Sequence, residues 1–582
     1  MYYDKVETSA EATVREPRRT KQGGLVVAEK VVGLINFKAF FGVFVFLLSF
    51  FTGLVTWVIR VSEEVTFLVD AGKPGAVIGN KVSNVNLWSV DGINSATVPD
   101  AQNDVTAFVE YIQLMQATGG NAQRDLFRDP LNRAVLDDYD FSTLIDACRG
   151  ILNLGAKPHI KTGNVPLKLT TDPQIGVFGV NVNPPDSYEQ YYTYIRAVAD
   201  ALVAEFGTAE VRTWRFGVMT EYENADWFKT KSGDARETLE AFCRLYDYTV
   251  AALQEAVGPE VFVGAHSMSV AEGLWDERAF IDHCADGINA KTGARGTRLC
   301  FLNASFYDSK PGKFGDKTLP ETIALLRDKA ESVGFNNLEY GIDEGRILSG
   351  TRGSVAADLA MRISGFTYQG AYDARLIKQM ADHDIDYFSS WGYLTGGLWS
   401  GLPSVSFHVA DRFAAMAHAA RVPVKTKGGL IPDAEIEALA GTDGDTVYIM
   451  AYNFKNKVDY RRSAAMTFRV AVPGLGNESV KVTRWVVDDD ANFFDEWQAD
   501  RKTYGITDDC FVWSPDDPSV DTLTTLNAPW ARDLYFRELR PVYEEKSRLI
   551  PVTSQVQAEN GVVTLRVTAA PNAVVFYKVE RG

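Results

Sequence analysis

The sequence predicts an α/β protein built on a (β/α)8 TIM barrel, with a C-terminal antiparallel β-sandwich domain and one N-terminal transmembrane helix. Three observations support this architecture. Stretches of helical period alternate with short apolar runs in the middle of the chain, which is typical of β/α units around a parallel sheet. Beyond about residue 422 short alternating segments take over. An uncharged apolar run precedes both parts.

The size and charge of the chain limit its function class. At 582 residues the chain is too long for one compact core, so two folded domains are expected. The formal net charge of −17 would repel a phosphate backbone, and nucleic acid is therefore not expected as a partner. The five cysteines are widely spread and have no CxxC spacing. They are interpreted as small buried apolar residues.

The N-terminal region predicts a membrane anchor. The run from Ala39 to Ile59 carries no charge, and it is long enough to cross a hydrocarbon core of roughly 30 Å as a helix. A cleaved signal peptide is the alternative, but the run is longer than a signal h-region and no small-x-small cleavage site follows before Arg60. Because basic residues precede the run, residues 1–38 are expected to be a cytoplasmic tail. Residues 39–60 are the anchor, and the bulk of the chain lies in the periplasm or at the cell surface.

The barrel is predicted over residues 84–422. Its helices begin at capping residues and end at glycines, and each feeds a short apolar run. The predicted strands are 84–89, 121–126, 156–161, 211–219, 261–266, 299–307, 338–343 and 385–391. Eight is the number of strands that a closed barrel needs.

The rest of the chain predicts a β-domain. Residues 423–582 contain strand-like segments such as TVYIMAYNF and AVVFYKV, with turn residues between them. Residues 61–83 form a linker in which the strand-like piece from Val65 to Ile78 is expected to join that domain.

Two carboxylates follow predicted strands at the end of the barrel where active sites lie. Glu221 follows the fourth strand, and Glu344 follows the seventh. Cleavage of a glycosidic bond with retention needs one carboxylic acid and one carboxylate nucleophile, roughly 5 to 5.5 Å apart. The two strands can bring such residues together across the mouth of the barrel. Alternatively, each glutamate is a solvated loop residue.

The surrounding sequence resembles glycoside hydrolase family 39, the family of β-xylosidases and α-L-iduronidases. Trp214, Phe216, Val218 and Glu221 match its motif W-x-F-E-V-W-N-E-P-N. The segment GAKPHIKTGNVP is similar to the family's G-L-K-P-F-V-E-L-G-F-M-P, and LEYGIDEGR falls where the family has I-T-E-W. The resemblance implies a retaining O-glycosyl hydrolase that works without a cofactor. It also implies that Glu221 is the general acid/base and that Glu344 is the nucleophile.

Eight further residues are candidates for substrate binding. The resemblance makes Tyr307 the residue that orients the nucleophile and Trp391 a platform for a sugar ring. Lys161 and Arg346 would pair with a uronic acid or another anionic substituent, or else Lys161 neutralises Glu221 or Glu223. The remaining candidates, at other strand ends, are Thr220, His266, Trp88 and Arg124.

The sequence also departs from the family pattern. Thr220 stands where the clan has an asparagine that binds the sugar 2-hydroxyl, and Tyr222 replaces the usual proline. Ser305 replaces the histidine of the family's H-A-Y strand, Asp343 replaces a threonine, and Lys161 replaces a glutamate. Both implied catalytic carboxylates are present, whereas the residues around them differ.

Two functions fit these observations. The first is a membrane-anchored retaining glycoside hydrolase that acts on an extracytoplasmic polysaccharide or oligosaccharide, with machinery for polysaccharide export or synthesis as its expected partner. The alternative is a non-catalytic, membrane-tethered protein of polysaccharide binding or assembly on a degenerate glycosidase barrel. The presence of both glutamates favours the enzyme. No metal site is expected, because only His159 and His266 of the six histidines lie on predicted strands.

Overall fold

The structure is a computed structural model. The residues that it describes are 64–87, 107–269, 273–308, 313–347, 365–390, 398, 401–428, 434–455, 457, 459–511 and 526–581. The predicted tail and anchor, residues 1–60, lie outside this part, as do Trp88 and Trp391. Within the described residues, no helix is long and apolar enough to span a bilayer.

Eight parallel strands close into a barrel, as the sequence predicts. The first strand of the chain, β1 (Glu64–Asp70), belongs to the β-domain described below. The barrel strands in chain order are β2 (Asn84–Leu87), β3 (Tyr111–Leu114), β4 (Lys157–Thr162), β5 (Arg215–Val218), β6 (Phe262–Met268), β7 (Phe301–Asp308), β8 (Glu339–Ile347) and β9 (Tyr387–Ser390). Each strand pairs with the next, and β9 pairs with β2 through Asn84 and Val85, which closes the barrel.

The second strand of the barrel differs from the prediction. The predicted segment 121–126 is a turn region, in which the backbone N–H groups of Arg124 and Asp125 donate to the carbonyl of Asn121. Gly119 and Gly120 precede it with φ values of 102° and 101°, a backbone conformation that breaks an extended run. The strand that pairs with β2 lies earlier, at Tyr111–Leu114.

Helices cover the outside of the barrel. They are α1 (Ser142–Asn153), α2 (Tyr188–Phe206), α3 (Thr208–Val211), α4 (Ala235–Val257), α5 (Arg278–Asp286), α6 (Leu319–Ser332), α7 (Thr367–Asp382) and α8 (Val405–Ala414). Local sequence explains where they start and stop. The Ser187 and Asp234 side chains cap α2 and α4, and Thr318 forms a capping box with Glu321 at α6. Gly207 ends α2.

In the described part of the chain, nine strands follow the barrel and form two sheets with β1. They are β10 (Ala420–Val422), β11 (Val424–Gly428), β12 (Glu435–Thr442), β13 (Thr446–Phe454), β14 (Ala464–Ala471), β15 (Ser479–Val487), β16 (Val552–Gln557), β17 (Val562–Ala569) and β18 (Val574–Arg581). One sheet has the order β11-β1-β14-β17 and the other β10-β12-β13-β18-β15-β16. The N-terminal strand β1 lies inside the first of these sheets. Its pairing with β14 is parallel, so the domain is not antiparallel throughout.

The β-domain has a hydrophobic core of its own. Alternate residues of β14 are buried, as expected for a strand with one face on a core. Phe468 on this strand stacks on Phe67 of β1 with ring centroids 5.0 Å apart, and both side chains are fully buried. Burying each ring contributes about 1.5 to 3 kcal/mol relative to exposure.

A helical insertion that the sequence reading did not predict interrupts the β-domain between β15 and β16. It contains α9 (Phe494–Tyr504), α10 (Pro529–Leu534) and α11 (Arg540–Lys546). Its buried aromatic residues join the barrel core, and the Nε2 atom of His408 on α8 lies 2.7 Å from the carbonyl of Ser547. The insertion therefore holds the barrel and the β-domain together on the α8 side.

All five cysteines lie in the described part and form no disulfide. Four of them are buried, namely Cys148, Cys243, Cys284 and Cys510, whereas Cys300 is partly exposed. This agrees with their interpretation as small apolar residues.

Candidate active site

Glu221 lies just beyond the carboxyl end of β5, on a loop with unusual backbone geometry. Met219 and Glu221 have φ values of 58° and 42°, in the left-handed region that costs a non-glycine residue of order 1 to 3 kcal/mol. The loop is fixed to the neighbouring strand because the N–H of Met219 donates to the carbonyl of Thr162, 2.9 Å away. At Gly163 a Cβ atom would lie 2.9 Å from the Met219 nitrogen, so only glycine allows this approach.

The Glu221 side chain is 8% exposed and is oriented by a neighbour on its own loop. The Nδ2 group of Asn224 donates to Glu221 Oε2 over 2.9 Å. The sequence reading did not single out Asn224. Its position three residues after a candidate carboxylate, in a turn, is a weak signal that fits many loops.

Glu344 lies on β8 rather than after it, because the strand continues to Ile347. The pairing of β7 with β8 shifts register at this point. Ala304 pairs with Ile342 but Ser305 pairs with Glu344, which leaves Asp343 as an extra residue. Such a bulge changes the side to which the following side chains point. Glu344 is 8% exposed, and Asp343 is completely buried.

A tyrosine forms a hydrogen bond with Glu344. The hydroxyl of Tyr307, on the neighbouring strand β7, donates to Glu344 Oε1 over 2.8 Å. A hydrogen bond to an ionised carboxylate favours the charged form, which is the form that attacks an anomeric carbon. Gly345 completes the local arrangement, since a Cβ atom there would lie 2.3 Å from the carbonyl oxygen of Phe306.

Lys161 lies on β4 with its side chain completely buried. Its ammonium donates to Thr220 Oγ1 over 2.8 Å and lies 4.4 Å from the ring centroid of Trp227. Thr220 is also fully buried. Both were candidates for substrate contact, which stays a prediction. Their burial favours an indirect role.

The charges at this end of the barrel act on one another. Burial lowers the pKa of Lys161 to about 7, and the charges of Glu344, Asp343 and Glu221 oppose that shift. Arg124 lowers the pKa of Lys161 further. Burial raises the pKa of Asp343 well above its ordinary value, and the charges of Glu344 and Glu221 add to that effect. The two candidate catalytic carboxylates therefore share one electrostatic environment, although they are far apart in sequence.

The structure describes the other candidate residues to different extents. Arg124 is partly exposed and its guanidinium donates to Gln116 Oε1. The backbones of His266 and Arg346 lie on β6 and β8, but their side chains are outside what the structure describes, as Trp88 and Trp391 are entirely. Trp227 is a neighbour of Lys161 that the sequence reading missed. Among the described residues, no group of three or more His, Cys, Asp or Glu side chains is arranged to hold a metal ion.

Comparison with known proteins gives a consistent family. The model of Glycosyl hydrolases family 39 matches residues 126–500. A β-xylosidase of Geobacillus stearothermophilus is 28% identical over 276 residues, which covers 46% of this chain and 51% of that protein. The chain thus spans about half the length of this relative.

Two solved structures share the fold at low sequence identity. The GH39 enzyme from Xanthomonas axonopodis pv. citri is 16% identical with a TM-score of 0.62, over 89% of this chain and 97% of that one. A monomeric β-xylosidase from Caulobacter crescentus CB15 is 18% identical with a TM-score of 0.59, over 88% and 99%. At this identity the likeness concerns the arrangement of the barrel and the β-domain.

Proposed function

The chain belongs to family 39 of the glycosyl hydrolases, and from this premise we propose that it cleaves glycosidic bonds by double displacement, with retention of configuration. Glu221 is the general acid/base and Glu344 is the nucleophile. One observation carries the proposal: the closed barrel holds two largely buried carboxylates, Glu221 just beyond β5 and Glu344 on β8, and each accepts a hydrogen bond from a neighbouring side chain.

In the first step Glu221 donates a proton to the leaving glycosidic oxygen while the Glu344 carboxylate attacks the anomeric carbon. The bond to the aglycone breaks, and a glycosyl ester of Glu344 forms. In the second step Glu221, now ionised, takes a proton from water, and the resulting oxygen attacks the same carbon and releases Glu344. Tyr307 supports the ionised state of Glu344 before attack and after release.

The substrate class that we propose is a β-linked xyloside at the end of an oligosaccharide or polysaccharide. Its support is the naming of the G. stearothermophilus and C. crescentus proteins as β-xylosidases. A polymer is favoured over a soluble metabolite because a tethered enzyme reaches material that is anchored or exported nearby.

We further propose that residues 39–60 anchor the protein and that the barrel lies outside the cytoplasm, next to machinery for polysaccharide export or synthesis. The uncharged run from Ala39 to Ile59 and the basic residues before it support this placement. Protease treatment of intact spheroplasts that carry the full chain tests it. We expect loss of the barrel but protection of residues 1–38, and protection of both parts would contradict the proposal.

Two alanine variants test the catalytic assignment on the full chain in detergent, with an aryl β-D-xyloside as substrate. Glu221→Ala should lower kcat/KM by roughly 10² to 10⁴. Azide should restore its turnover and give a β-glycosyl azide, because this anion needs no base to attack the intermediate. In Glu344→Ala azide should fill the vacated space, attack the substrate directly and give the α-azide.

A matched control is Glu240→Ala, which removes an exposed glutamate of helix α4. It should leave the rate unchanged. Full activity in the Glu221 or Glu344 variants would refute their roles. If the unchanged chain binds xylo-oligosaccharides but cleaves no glycoside, the non-catalytic polysaccharide-binding function replaces the enzyme.

A further inference from the structure

A fully buried lysine beneath two catalytic carboxylates needs a physical reason, because lysine is almost never completely buried unless it is paired. Lys161 has no exposed surface, and its hydrogen bond goes to the neutral hydroxyl of Thr220. Its ammonium also faces the ring of Trp227, which is itself stacked on Phe178 with centroids 4.4 Å apart. These contacts fix the position of the ammonium without neutralising it.

The compensating charges come from two other barrel strands. Glu344 and Asp343 lie on β8 and Glu221 lies after β5, and all three favour the charged form of Lys161. Arg124, which follows β3, acts in the opposite direction. All four of these charged groups act on Lys161, so the ammonium interacts with both members of the catalytic pair at once.

Contact with substrate does not account for this lysine. Neither Lys161 nor Thr220 presents any surface to the cleft, whereas Glu221 and Glu344 are each 8% exposed. Lys161 therefore acts on a bound sugar without touching it.

We propose that Lys161 is a positioning residue: its buried ammonium, held by Thr220 and Trp227, is the shared counter-ion of Glu344 and Glu221. This role rests on the proposed function. Before attack the ammonium stabilises the ionised nucleophile Glu344. Once the glycosyl ester has formed, Glu344 carries no charge and Glu221 is the ionised member of the pair. The same ammonium then stabilises Glu221, so one fixed positive charge serves both steps.

The pH profile of kcat/KM for an aryl β-D-xyloside tests the proposal on the full chain in detergent. Removal of the counter-ion in Lys161→Met makes ionisation of the nucleophile harder, so the acid limb should move to higher pH by about one unit. Lys161→Gln, which can still bond to Thr220, should shift the limb in the same direction and serves if the methionine variant does not fold. An acid limb at its original pH in a folded variant would overturn the proposal.

Lys168 offers a matched control. Its side chain is also buried, but it pairs with its own carboxylate, Asp138, and faces the ring of Phe127. Lys168→Met should lower the melting temperature and leave the acid limb in place. A structural defect alone would affect both variants alike, whereas loss of a counter-ion shifts only the Lys161 profile.

A second measurement needs no catalysis and separates this proposal from the proposed function. If Lys161 is the counter-ion of Glu344, Lys161→Met should lower the melting temperature less in a Glu344→Gln background than in the unchanged chain. The same cycle with Lys168→Met should be additive. If the protein is inactive but the losses of melting temperature from Lys161→Met and Glu344→Gln are not additive, glycoside hydrolysis is refuted and the counter-ion role is retained. If the protein is active and the losses are additive, glycoside hydrolysis is retained and the counter-ion role is refuted.

Discussion

Replacement of Tyr307 by phenylalanine isolates one hydrogen bond to Glu344, the proposed nucleophile. The hydroxyl lies 2.8 Å from Glu344 Oε1, and the ring packs edge-on against Phe314 with centroids 6.2 Å apart. Phenylalanine keeps that ring contact and removes only the donor. Any kinetic effect of Tyr307→Phe can therefore be assigned to the hydroxyl group.

The size of the effect follows from the charge on the acceptor. A hydrogen bond to a charged group contributes about 1.5 to 3 kcal/mol. Since 1.4 kcal/mol is a factor of ten, kcat/KM for an aryl β-D-xyloside should fall by roughly 10- to 150-fold. Loss of a donor that favours the ionised carboxylate should also move the acid limb upward by about one to two pH units.

The assay is kcat/KM measured across the pH range for the variant and the unchanged chain. Tyr246→Phe is the control, because its hydroxyl donates over the same distance of 2.8 Å to the carbonyl of Arg298, which precedes β7 at the end opposite to Tyr307. It should cost stability and leave the acid limb in place. A Tyr307→Phe variant with less than a twofold loss and an unmoved limb would refute this reasoning.

Three further substitutions test the surrounding structure. Burial lowers the pKa of His408 to about 4, whereas an imidazole in the unfolded chain titrates near pH 6.5. Between these two pH values the unfolded chain binds a proton that the folded chain does not, so the free energy of unfolding should fall by about 3 kcal/mol as pH drops from 6.5 to 4. His408→Gln should remove this dependence. Gly345→Ala should cost about 1 to 3 kcal/mol by overpacking against the Phe306 carbonyl, and should also slow catalysis by displacing Glu344. Phe468→Ala should lower the free energy of unfolding by about 3 to 5 kcal/mol in a denaturant titration.

Each of these has an outcome that would contradict it. Equal pH dependence of stability in His408→Gln and the unchanged chain would show that this imidazole does not cause the dependence. Full stability and activity in Gly345→Ala would mean that β7 and β8 can separate without cost. A loss below about 1 kcal/mol in Phe468→Ala would mean that the site collapses around the missing ring. Gly476→Ala, a substitution in an exposed loop of the β-domain, provides a comparison without a steric neighbour.

The barrel could be predicted because its helices carry clear local signals. Capping residues such as Ser187 and Thr318 and the terminal Gly207 mark helix ends by chemistry that acts within a few residues. The strand Tyr111–Leu114 was missed since it has four residues, one of them the buried polar Gln113, and therefore no apolar run. The helical insertion was missed because α9 has an apolar face formed by few residues, and its packing partners lie on the barrel.

The site was predictable only in part, for a related reason. Glu221 and Glu344 stand out because strand ends are visible in sequence and the barrel brings strand ends together. The bulge at Asp343 and the burial of Lys161 depend on register and on side chains from other strands. No local pattern encodes these contacts. The expectation that Lys161 meets the substrate therefore came from its position on the strand, without knowledge of its depth.

The position of β1 has a consequence for biosynthesis. Among the described strands this one is made first, yet it lies between β11 and β14, which the ribosome makes about 350 and 400 residues later. At roughly 5 to 20 residues per second, the intervening stretch of about 400 residues takes on the order of 20 to 80 s to appear. During that time β1 is an apolar segment whose backbone N–H and C=O groups lack the strands with which they pair. Nascent chains of this protein should consequently need a chaperone at β1 until translation is nearly finished.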